Sequence, residues 1–127
     1  MDTSKGNVKI CEKAKEIQSK RKFQDGDWVV LQDTTDKIPF IFSTHCKGCM
    51  WEIENLHPIW LPRQDQLQEM VFQGNDLVGQ AIDLAKFRAD NLDDNLVIFH
   101  SWEQWWLAFV MRKLYNKVWT GEQWKKI

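Results

Sequence analysis

The chain has 127 residues, 43% hydrophobic and 28% charged, with a net charge of −1. That length suits one folded domain, and that balance excludes disorder along the whole chain and argues against a broad nucleic-acid footprint. Eight Trp is several times the usual share; each can bury roughly 150–250 Å², so part of the core has to be built from indoles.

The small net charge conceals a division. Residues 1–24 carry seven Lys/Arg against three acids, and the last 27 carry five against two, whereas the intervening stretch is acidic. Three Cys is an odd number for a disulfide framework. The sequence starts without a charged-then-apolar leader and contains no apolar run of the roughly 20 residues a spanning helix needs. The expectation is a cytoplasmic chain with reduced thiols, no membrane association and no cofactor.

In chain order, Asn7 to Lys22 sets Ile10, Ala14 and Ile17 on one helical stripe with Cys11 beside it, which predicts a helix of narrow apolar face. Lys20, Arg21 and Lys22 fall in its last turn, where cations complement the helix dipole; they are also the residues best placed to contact nucleic acid. Asp25 and Gly26 signal a turn. Trp28 to Gln32 reads as a strand, and Ile38 to Cys46 as a second, with Pro39 tolerated only near its start or on an edge.

With Lys47 and Gly48 as the centre of a tight turn, Cys46 faces Cys49, Thr44 faces Trp51 and Phe42 faces Ile53. That register sorts apolar from polar side chains on the two faces, which favours a hairpin. His57 and Leu61 each precede a proline and favour extended backbone. Pro62 then suits the first turn of a helix whose stripe is Leu67, Met70 and Val71, closed by Gly74.

Asn75 is placed to cap a further helix, in which Leu77, Val78, Ala81, Ile82 and Ala85 recur at helical spacing and so predict its buried side. Asp90 to Asn95 reads as an acidic loop, and Leu96 to His100 as a short strand or extended lead-in. Ser101 followed by Gln104 is a capping-box pattern. It opens a helix with Trp102, Trp105, Trp106, Phe109, Val110 and Leu114 at spacings of three and four, widened by Leu107 and Met111 into the expected central helix. Trp119 and Trp124, flanking Gly121, predict a tail folded back on it.

Chemistry is sparse. Cys46 and Cys49 have the spacing of half a zinc site, but zinc wants four ligands; His45 points to the other strand face and His57 lies too far along, so the thiols read as small residues beside a bend. A redox pair draws its low thiol pKa from a helix N-terminus, whereas the residues after Cys49 alternate like a strand. There is no GxSxG elbow and no glycine-rich phosphate loop, and combinations such as Cys46 or Cys49 with His100 and Asp93 or Asp94 arise in any chain of this size. No catalytic or metal-binding residue is assigned.

WLPRQDQLQEM (60–70) and SWEQWWLAFVMRKLYNKVWTGEQW (101–124), with FQDGDWVV as a lead-in, resemble paired motifs of small uncharacterised proteins encoded by bacteriophages and prophages of Gram-positive, clostridia-like bacteria. The resemblance implies origin and no particular activity. The expectations are therefore an α+β fold in one domain: a helical basic arm (1–24), an antiparallel sheet of about three strands (25–61) and a helical region (62–127). The expected role is binding to another protein, with Trp51, Trp60 and Trp124 as the candidate partner surface. A nucleic-acid-binding module using Lys20, Arg21 and Lys22 is the alternative, and a small enzyme the third reading.

Overall fold

In the computed structural model the fold is α+β, and the residues described are 1–32, 38–43, 56–71, 77–92 and 99–127. Contacts gather the chain into two compact units, Met1–Arg63 and Gln64–Ile127.

The first unit opens with α1 (Lys5–Lys13), capped by Ser4, whose hydroxyl accepts from the Asn7 N–H. Ile10, Ala14 and Ile17 are buried as the stripe predicts, and Cys11 is buried beside them. The expected single helix is nevertheless broken. Ala14 leaves helical geometry at φ −80, ψ 73, and a short α2 (Lys15–Gln18) follows. The break puts the Cys11 carbonyl within reach of the Ala14 N–H at 3.1 Å and of the Gln18 side-chain amide at 3.0 Å. The same amide donates to the Trp60 carbonyl at 2.8 Å and accepts from the Trp60 N–H at 2.9 Å. One buried Gln thus joins the helix break to a strand 42 residues further on, satisfying backbone groups that would be costly to bury alone.

That strand is β3 (Pro58–Leu61), which pairs antiparallel with β1 (Trp28–Leu31); β1 also pairs with β2 (Phe40–Ile41), giving the order β2-β1-β3. Val29 and Val30 on the central strand are buried, with Phe42 packed on Val29 and Phe23 at 5.6 Å from the Phe42 ring. Pro39 lies just before edge strand β2, where the missing N–H removes no ladder bond. The third strand is therefore the proline-flanked segment. The expected CKGC hairpin, with Cys46, Cys49 and Trp51, lies outside the described residues.

Gly26 turns the chain into β1 at φ 91, a left-handed conformation that glycine adopts without strain. The buried Asp27 locks this turn: one carboxylate oxygen accepts from the Gln24 N–H at 2.9 Å, the other from Arg63 Nη1 at 3.2 Å. His57 is an exception to its pre-proline expectation, taking φ 52 where the chain enters β3.

The second unit contains α3 (Gln64–Val71), α4 (Leu77–Leu92) and α5 (Trp102–Tyr115), followed by a hairpin of β4 (Lys117–Trp119) and β5 (Trp124–Lys126). Pro62 precedes α3 by two residues instead of lying in its first turn; Leu67 and Val71 are buried and Met70 is half-buried. Helix α5 starts at Ser101, whose hydroxyl accepts from the Gln104 N–H, while the Gln104 side chain takes the His100 N–H at 2.9 Å. Eight consecutive residues from Gln104 to Met111 are buried, so this is the enclosed central helix.

Phe87 and Phe99 meet Trp105 edge-on, Phe87 meets Phe109, and Trp106 meets Phe109, all with centroids 4.9–6.2 Å apart. Asn116 ends α5 in the left-handed region. The chain then folds back, β4 packs on α5, and the rings of Trp119 and Trp124 stand 5.3 Å apart across the hairpin.

Candidate functional site

The informative departure is on α4. Its apolar residues recur as the sequence predicts, yet Val78 is 65% exposed and Ile82 49%, with Ala81 and Ala85 exposed beside them. The face turned into the unit carries Gln80, Leu84 and Phe87 instead, because Phe87 is the residue that completes the ring cluster with Trp105 and Phe109. Trp102, expected in the core stripe of α5, is 51% exposed at the first residue of that helix.

Between these elements runs a groove of about 480 Å³, lined by Gln64 and Gln68 of α3, Ala81, Leu84, Ala85 and Arg88 of α4, and Trp102 and Trp106 of α5. Arg88 is its charged residue. The guanidinium carbon lies 4.7 Å from the centre of the Trp102 ring and 5.2 Å from that of Trp105, so two indoles hold the cation by their π faces. Its Nε is buried without an acceptor. Lys113 of α5 differs: it has Asp83 at 3.6 Å.

The first unit has a smaller concavity, about 320 Å³, lined by residues that include Glu12, Lys15, Ser19, Arg21, Gln32 and His57. Its polar groups are partly engaged with one another, Gln32 Nε2 donating to Glu12 at 3.2 Å. Of the three basic residues singled out from the sequence, Arg21 lines it; Lys20 and Lys22 are exposed. The run does not form a helical last turn, because α2 ends at Gln18. Arg21 donates to the Gln18 carbonyl at 3.1 Å and lies 5.6 Å over the Phe23 ring.

The candidate partner surface is corrected. Trp60 is only 6% exposed, sealed in the strand ladder of the first unit, and Trp124 is 9% exposed against Trp119. Both are core residues because each sits on a short strand whose indole-bearing face is covered. Trp51, Cys46 and Cys49 lie outside the described residues. Among the described residues no cluster of three His, Cys, Asp or Glu is arranged to hold a metal ion, and no helix is long and apolar enough to cross a membrane.

The surface residues that the sequence reading missed are Val78, Ile82, Arg88 and Trp102. One signal was present: after Leu77 the stripe on α4 consists of small or β-branched side chains, whereas the large aromatic Phe87 lies off it. Compared with protein-family models, curated proteins and solved structures, the chain matches none.

Proposed function

We propose that the chain is a phage- or prophage-type accessory protein that works by binding another protein, and that the outward face of α4 with its adjoining groove is the binding surface. The observation that carries this reading is the exposure of Trp102 in the groove and of Val78 and Ile82 on α4, one helical turn from the groove residues Ala81 and Ala85. Scattered exposed apolar residues are ordinary, but apolar residues grouped at a concavity mark interaction sites. Aromatic and Arg side chains in such a setting are the usual carriers of binding energy.

The test is capture of partners from host lysate with the full chain, beside the double variant Val78→Asp with Ile82→Asp. The reading expects a protein partner that the double variant loses while its helical circular dichroism stays unchanged. A partner retained by the variant contradicts it. Co-purifying nucleic acid that is lost on changing Lys20, Arg21 and Lys22 to Ala would replace it with the nucleic-acid reading.

A further inference from the structure

We infer that the groove receives a peptide segment of the partner in which a carboxylate side chain lies within a few residues of a large apolar one, the carboxylate meeting Arg88 and the apolar side chain lying on Trp102 and the Ala81–Ala85 face; this rests on the protein-binding reading above.

The first ground is the state of Arg88. A guanidinium carries five N–H donors in a rigid fork suited to a carboxylate. Here it is half-buried and fixed over two indole rings, and no hydrogen bond or ion pair engages it among the described residues. Holding a cation in place without an acceptor leaves donor capacity unused at a cost, unless a ligand supplies the acceptor. The rings have already fixed the side chain, so a ligand meets a fork that needs little further ordering.

The second ground is the surrounding charge. Gln64 and Gln68 of α3 and Trp102 and Trp106 of α5 line the groove with uncharged side chains, which leaves Arg88 as its charged group. Asp65 and Glu103 occupy the first turns of these helices but are not among the lining residues. The lining therefore presents one full positive charge and no full negative one.

The third ground separates a peptide from nucleic acid. A phosphodiester strand is bound by several cations spaced along its backbone. This groove offers one, on a helix whose exposed side also carries Asp83 and Asp90 next to Lys86. Apolar surface continues outward to Val78 and Ile82, which suits a side chain of Leu, Phe or Met. The amides of Gln64 and Gln68 remain to meet a peptide backbone.

The experiment selects random 12-residue displayed peptides on the full chain, then measures the enriched sequences as synthetic peptides by fluorescence anisotropy. The expected set has Asp or Glu within a few residues of a large apolar side chain. Changing that acid to its amide in the peptide weakens binding to the unaltered protein about tenfold or more, the range of a charge-assisted hydrogen bond. Arg88→Gln weakens the acidic peptide by a similar factor and the amide peptide hardly at all, which isolates the pair.

Enriched peptides without acids, equal binding of acid and amide forms, an empty selection, or an Arg88-dependent affinity for oligo-dT would each overturn the inference. The acid-to-amide comparison uses the unaltered protein, so misfolding of a variant cannot decide it. If the α4 double variant loses the lysate partner while peptide binding ignores Arg88, the inference fails and the protein-binding reading stands. If the lysate partner survives the double variant, the reading itself fails.

Discussion

Two buried glutamines, one in each unit, show how differently the same polar side chain can be used. Gln18 in the first unit spends its whole amide on backbone: it donates to the Cys11 and Trp60 carbonyls and accepts from the Trp60 N–H. Gln80 in the second unit makes one long bond, donating to the Gln68 carbonyl at 3.4 Å, and its Oε1 is buried without a partner. The contrast is between the two glutamines and not a property of each whole unit, since the buried Trp60 Nε1 of the first unit also lacks an acceptor. In the second unit, among the described residues, the Gln80 oxygen and the Arg88 Nε are unmet beside an outward apolar face. A folded chain tolerates that where selection acts on binding more than on stability.

The largest effect that bears on this contrast comes from making the same substitution at both positions. Gln18→Leu leaves the Trp60 N–H and carbonyl without their partner, while the Cys11 carbonyl keeps the Ala14 N–H, and should cost about 3 kcal/mol, at one to three per orphaned group. Gln80→Leu removes an amide already unsatisfied and should fall within about 0.5 kcal/mol of neutral. Urea unfolding followed by the NMR amide signals of each unit reads both. Equal costs would dissolve the contrast.

Ser101→Ala removes the cap that accepts the Gln104 N–H and should destabilise the second unit by about 1 kcal/mol in the same titration. His57→Gly should act the other way. A non-glycine residue at φ 52 carries strain of roughly 1 kcal/mol, part of which glycine recovers after its larger chain entropy is subtracted, so a gain of about 0.5 kcal/mol is expected. The smallest change belongs to the proposed surface. Ile82→Ser and Val78→Ser should each shift stability by less than about 0.5 kcal/mol, since neither side chain is enclosed. A loss of 2 kcal/mol at either would place that side chain in the core.

Much of this architecture was legible in the sequence, for physical reasons that also explain the gaps. The central helix at Trp102–Tyr115 announced itself through a cap residue and apolar spacing on more than one stripe, both of which are local signals. The β1 strand and the Asp25–Gly26 turn were local too. The break at Ala14 had no local sign, since Ala is the best helix former; the break is sustained from 42 residues away by the bonds Gln18 makes to Trp60. Strand β3 was read only as extended chain, because prolines at both ends masked a segment that pairs fully with β1.

The orientation of α4 was the consequential miss. Periodicity identifies an apolar face but not whether that face meets the core or the solvent, and Phe87, lying off the stripe, was large enough to decide it. Trp60 and Trp124 failed as surface candidates for the complementary reason: an indole on a short strand is covered once its neighbour packs, as Trp119 does for Trp124.

The central claim is that the apolar stripe of α4 faces water. Carbene footprinting of the monodisperse full chain, read residue by residue by mass spectrometry, measures this directly. Val78, Ile82 and Trp102 should label strongly while Leu84, Leu107 and Val110 stay protected. Protection of Val78 and Ile82 to the level of Leu84 would contradict the account.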